Sequence, residues 1–103
     1  MPKLTRQTAP MKVSYDAAKR STTLNARGLD FEDAALIFEG PTLTIADDRR
    51  DYGETRFQTY GLFENRLVMI VWTPRPPARH VISMRHCHER EARKVRPRLV
   101  RPG

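Results

Sequence analysis

LTIADDRRDYGETRFQTYG, residues 43–61, passes from a short extended piece at 43–45, through a polar turn at 47–53, into a strand that begins at Arg56. Period-two stretches on either side of a turn rich in Asp, Arg and Gly are the pattern of antiparallel strands, not of helix. The strand runs on to residue 63, where Glu64-Asn65 joins it to a second strand at 66–73, a spacing that predicts a hairpin. Pro74, Pro76 and Pro77 then predict a loop, because proline cannot donate to a ladder, and a strand at 79–85 follows it.

Outside this region the period becomes helical. Val13-Ser14-Tyr15 reads as an extended lead-in, and Asp16 as the N-cap of a polar helix that runs to about Asn25 and ends at Gly28. Asp30 is a second N-cap candidate. Behind it Phe31, Ala34, Ala35 and Phe38 fall at i, i+3, i+4 and i+7, one apolar helical face, and Gly40-Pro41 stops the run. Glu89–Val95 is rich in helix formers and precedes Pro97, which predicts a short last helix. The simplest assembly is α+β: two N-terminal helices packed on a small antiparallel sheet, with a short C-terminal helix. Strict alternation divides the last strand into His80, Ile82 and Met84 against Arg79, Val81, Ser83 and Arg85, and does not settle which set faces water.

At 103 residues the chain has room for one domain. The organisation expected is a flexible basic arm at 1–12, a folded unit at 13–95 and a basic tail at 96–103. The longest apolar run, LVMIVW at 67–72, is far short of the roughly 20 residues needed to cross a bilayer, and the N-terminus lacks a secretion signal. A lone Cys87 forms no internal disulfide, so a cytoplasmic setting with no membrane association is expected. Nineteen Lys and Arg against twelve Asp and Glu give a net charge of +7. The excess sits at the ends, with Lys3, Arg6 and Lys12 in the first twelve residues and seven cations against Glu89 and Glu91 after residue 84. Such ends either attract a polyanion through counterion release or are simply solvated, and charge does not choose between RNA, DNA and an acidic protein. No Gly-rich phosphate loop is present, and His86-Cys87-His88 are too close in sequence to converge on one metal, so neither cofactor nor metal is expected. Tyr52, Tyr60 and Trp72 are candidates for base stacking, although Trp72, at the end of an apolar strand, reads more readily as core.

Four pieces in order carry a family likeness: Asp16-Ala17-Ala18-Lys19; Gly28-Leu29-Asp30-Phe31-Glu32-Asp33-Ala34; the run 47–54 with Arg56-Phe57 before Gly61; and Val81-Ile82-Ser83-Met84-Arg85 followed by Glu89-Arg90-Glu91. With these the chain resembles the BrnT family, the toxin halves of bacterial type II toxin–antitoxin pairs. The resemblance implies a RelE-like fold and cleavage of RNA without a metal. It also implies inhibition by a BrnA-like antitoxin, whose ribbon-helix-helix segment binds the operon's own DNA, so that operator DNA is met only through the antitoxin. The chain departs from the family at Ala26-Arg27-Gly28, where Lys-His-Gly is usual, at Thr23 in place of a common Asn, at His80 in place of Arg, and at His86-Cys87-His88.

Metal-free cleavage of RNA needs the 2′-OH deprotonated, the pentavalent phosphorane neutralised and the 5′-oxygen protonated. Arg56 and Arg85 suit the second task, because a guanidinium stays charged and grips two phosphate oxygens; the alternative is that each pairs with the acidic turn. Glu54 is the candidate base or base-orienting group, and His80, with an ordinary pKa near 6.5, the candidate acid–base group or a structural histidine. Lys19 and Arg27 either hold flanking phosphates or solubilise the first helix. Arg79 and Ser83 complete the expected RNA contacts. Three functional readings stand: an endoribonuclease toxin, a catalytically weakened relative that binds its antitoxin and co-represses the operon, and a small basic nucleic-acid-binding protein without activity.

Overall fold

In the strand Arg66–Arg75 the six apolar residues at 67–72 alternate between two faces, and both faces are buried. A strand covered on both sides reads as a continuous hydrophobic run, and its place is the middle of a sheet. The computed structural model describes residues 11–101, so residues 1–10 of the expected arm and 102–103 of the expected tail lie outside the described residues. Within it the elements are β1 (Val13–Tyr15), α1 (Ala17–Arg27), a 3₁₀ turn at Phe31–Asp33, α2 (Ala34–Glu39), β2 (Thr42–Ala46), β3 (Phe57–Phe63), β4 (Arg66–Arg75), β5 (Ala78–His86), α3 (Glu89–Val95) and a 3₁₀ turn at Arg96–Arg98. The sheet order is β1-β5-β4-β3-β2, antiparallel except that β1 runs parallel to β5. No helix among the described residues is long and apolar enough to cross a membrane.

On one face Val68, Ile70 and Trp72 meet Leu29, Phe31, Ile37, Phe38, Val81 and Met84. On the other, Leu67, Met69 and Val71 meet Tyr60 and Val95, with Ala92 and Leu99 of the C-terminal segment packed alongside. Trp72 is therefore core, and its indole N–H is satisfied by Thr59 Oγ1 at 2.7 Å. Gly61 lets α2 approach β3: a Cβ there would stand 2.5 Å from Ile37 Cγ2. The β3–β4 hairpin turns through Glu64 and Asn65, both in the left-handed region at φ 50° and 66°, as a two-residue turn between twisted strands requires.

The expected pair of N-terminal helices packed on a small antiparallel sheet is corrected: α+β holds as a class, but the strands dominate and the sheet is five-stranded and mixed. Three local causes account for the difference. The lead-in Val13-Ser14-Tyr15 pairs with β5, with Ser14 opposite His80, and becomes an edge strand. α1 buries none of its residues; it is pinned by polar contacts, Arg20 to Asp30 at 2.7 and 2.9 Å and Arg27 Nη1 to the Met84 carbonyl at 2.7 Å. Asp30 caps only a 3₁₀ turn, which leaves α2 six residues long. The proline loop is corrected as well. Pro74 and Arg75 stay in β4, opposite Arg79 and Ala78, and the chain reverses over Pro76-Pro77 alone. Proline is tolerated there because the sheet ends at this hairpin and needs no donor from it.

A bulge in β5 sets the faces. Trp72 lies opposite Val81, while Val71 lies opposite Ser83, so Ile82 is the extra residue. As a result His80, Ser83 and Arg85 share the face of Thr73, Val71 and Met69, whereas Arg79, Val81 and Met84 share the other.

Candidate nucleic-acid interface

The second sheet face is covered at one end by α3 and carries polar groups over the rest. At the far end stands His80. Its Nδ1 lies 2.9 Å from Ser14 Oγ, a contact made possible by the β1–β5 pairing. Burial pushes the imidazole below its ordinary pKa, Arg75 and Lys19 push the same way, and Glu54 and Asp16 oppose them. This shift favours the neutral form of the ring at pH 7. When Nδ1 donates to Ser14, Nε2 presents a lone pair; when the Ser14 hydroxyl donates, Nε2 carries the proton.

Next to it, Glu54 binds two guanidiniums, Arg56 Nε at 3.0 Å and Arg75 Nη2 at 3.6 Å. The Arg56 hydrogen bond holds the Glu54 carboxyl below the usual carboxylate range. An ionised carboxylate of this kind is a weak base and a good orienting group. Lys19 reaches the same neighbourhood from the first turn of α1, whose residues Ala18, Lys19, Thr22 and Thr23 face Ile82 across a small cavity of about 220 Å³.

Arg85 occupies the other end of the face. Its guanidinium forms a two-toothed pair with Glu91 of α3, at 2.9 and 3.0 Å, and this partner draws the Glu91 carboxyl down to about 2. Tyr60 and Cys87 lie beside the same carboxylate, and burial pushes the thiol up to about 12. A surface cavity of about 590 Å³ opens here, lined by Arg85, His88, Arg90, Glu91 and Lys94.

The structure thus brings Glu54, Arg56, His80 and Lys19 to one region. Arg85 lies opposite Met69, four residues along β4 from the Thr73 partner of His80, a separation of about 14 Å at 3.4 Å per residue. Ser83 sits between them on the same face. Arg27 is turned to the Met84 carbonyl. Arg79 lies on the opposite face, its guanidinium 4.6 Å from the Phe38 ring centroid and 4.4 Å from that of Trp72, where burial lowers its pKa. Sequence reasoning missed Arg75, which sits between prolines, and Ser14, which looked like a lead-in. It also missed Glu91, although its place in the matched Glu89-Arg90-Glu91 piece was a signal.

A small basic α+β protein with a lysine, arginines and a histidine gathered along one sheet face, the arginines held by carboxylates, is the class that fold and site define. The family described as ribonuclease toxin, BrnT, of type II toxin–antitoxin systems matches residues 15–91. That is most of the chain, and the chain belongs to this family. Membership implies an RNA substrate and an antitoxin partner. No curated protein gives a significant match.

Proposed function

We propose that the chain is a metal-independent endoribonuclease acting in the cytoplasm, neutralised by a BrnA-like ribbon-helix-helix antitoxin with which it co-represses its operon. The observation that carries the catalytic part is the neutral His80 imidazole, oriented through Ser14 and set beside the Glu54-held guanidiniums of Arg56 and Arg75. In this reading His80 Nε2 accepts the 2′-OH proton as the 2′-oxygen attacks phosphorus. Arg56 and Arg75 balance the charge of the phosphorane. The P–O5′ bond then breaks, and the imidazolium returns its proton to the 5′-oxygen, leaving a 2′,3′-cyclic phosphate and a 5′-OH. Glu54 orients the arginines and does not take the proton. Arg85, farther along the face and anchored by Glu91, holds another stretch of the same backbone.

Purified protein should cleave labelled RNA in the presence of EDTA, and His80→Ala should lower the rate by about 10²–10⁴-fold. Because burial lowers the His80 pKa, the acid limb of the rate should fall below pH 6.5, where the base becomes protonated. Intact RNA with the wild-type chain, or cleavage indifferent to His80→Ala, would overturn this assignment. The second reading, a weakened toxin that serves as a binding module, is favoured by one observation: Arg56 and Arg85 are each already matched by a carboxylate. Intact RNA together with tight capture of the antitoxin would select it.

A further inference from the structure

The turn between β2 and β3 carries a cluster of which the cleavage chemistry uses only Arg56. Asp47, buried at the start of the turn, accepts Arg49 Nε at 2.7 Å and Nη2 at 2.8 Å, and its backbone N–H is bonded to the Arg56 carbonyl at 2.8 Å. These contacts fold the turn so that Arg49, Arg50, Tyr52 and Arg56 line one surface cavity of about 550 Å³. The Arg56 guanidinium carbon stands 4.0 Å from the Tyr52 ring centroid, in stacking contact, while that of Arg50 stands 5.8 Å away, outside close contact. Glu54 occupies only Arg56 Nε, and Asp47 leaves Arg49 Nη1 without a partner, so both arginines keep donors for an outside acceptor. Among the described residues Arg50 has no carboxylate within ion-pair distance.

We propose that Arg49, Arg50, Tyr52 and Arg56 form a subsite for one unpaired nucleotide of a single-stranded RNA, its base stacked on the Tyr52–Arg56 pair and its phosphates held by Arg49 and Arg50. Three guanidiniums around one cavity select an anion. A ring and a planar cation already stacked on each other add a flat platform of the kind unpaired bases use, which an acidic peptide does not need. Arg56 belongs to this platform and, through Glu54, to the His80 region, so the bound nucleotide neighbours the scissile phosphate on the same strand. A paired base keeps both faces stacked on its neighbours and cannot use the platform, which makes the subsite a selector for single strands.

The inference rests on the ribonuclease reading for the identity of the strand, and binding can be measured apart from cleavage. The full chain is titrated with a fluorescein-labelled 2′-O-methyl RNA of roughly 12 nucleotides, which lacks the nucleophile, single-stranded and paired with its complement, at several salt concentrations. The single strand should bind more tightly than the duplex. Tyr52→Leu should weaken single-strand binding about fivefold or more with an unchanged salt slope, and Tyr52→Phe should stay within about twofold of wild type. Arg50→Ala should weaken it and flatten the log–log salt slope by about 0.7. Affinities of Tyr52→Leu and Arg50→Ala within about twofold of wild type would overturn the subsite, as would variants that keep RNA affinity and lose antitoxin instead, which would make the turn a protein interface. A chain that cleaves no RNA yet loses oligonucleotide affinity through Tyr52 and Arg50 upholds the subsite and sinks the cleavage reading. Normal cleavage with unaffected binding does the reverse.

Discussion

Replacing Glu91 by Gln keeps the shape of the side chain at the head of α3 and removes the charge that grips Arg85. The Glu91 carboxyl is drawn from 4.5 to about 2, chiefly by that guanidinium and further by hydrogen bonds from Cys87 and the His88 backbone, and each tenfold change in proton affinity is worth about 1.4 kcal/mol, so about 3 kcal/mol is the upper bound for the unscreened pair. The Glu91 side chain is 25% exposed and that of Arg85 36%, and solvent screening reduces this to about 1–2 kcal/mol. A carboxylate whose folded pKa is depressed contributes stability that is fully present above its unfolded pKa and is lost as pH falls through the folded value. The wild-type advantage over Glu91→Gln should therefore be complete above pH 5, shrink between about 4.5 and about 2, and vanish below that. Thermal melts followed by circular dichroism at pH 7, 4 and 2 test it, with an expected deficit at pH 7 of about 4–15 °C for a domain of this size. Equal stability of the two proteins at pH 7, or a deficit that persists unchanged at pH 2, would refute the idea that this ion pair fastens α3 to the sheet.

Two further outcomes follow from the packing. Gly61→Ala drives a methyl group into Ile37 Cγ2 and should cost about 1–3 kcal/mol, read as a lower urea midpoint at unchanged slope; an unchanged midpoint would show that α2 can shift freely off β3. With its thiol pushed up to about 12 by burial and by the neighbouring Glu91, Cys87 should react with a thiol reagent at pH 8 about a thousandfold more slowly in the native protein than in denaturant, and comparable rates would contradict its placement against α3.

Much of the chemistry is organised by carboxylates that orient cations. Asp47, Glu54 and Glu91 each fasten an arginine by hydrogen bonds of 2.7–3.0 Å. An arginine held by one edge keeps its other donors in a fixed direction, which favours recognition of a phosphodiester over loose attraction.

Local signals in the sequence were sufficient for the elements that depend on neighbours in the chain. The Asp16 cap, the Gly28 stop, the Glu64-Asn65 hairpin and the last helix at Glu89–Val95 all stand where short-range chemistry put them. The matched pieces likewise contain the candidates Glu54, Arg56 and Arg85, whereas His80 stands where the chain departs from the family pattern and is a candidate only through the intrinsic pKa of imidazole. What the sequence could not supply was the fate of weakly patterned segments. Val13–Tyr15 becomes a strand only because β5 offers it an edge, and Arg75 becomes part of the site only because β4 continues past Pro74.

Composition, periodicity and motif order by themselves determined a small basic α+β chain with a family likeness, because each of those properties is written in neighbouring residues. The tertiary structure alone decided which side chains share a surface. In strict alternation His80 and Arg85 point to opposite sides of the sheet; one extra residue in β5, Ile82, puts them on the same side. A bulge is set by the pairing of β5 with β4, a contact between segments distant in sequence, and no reading of β5 alone contains it.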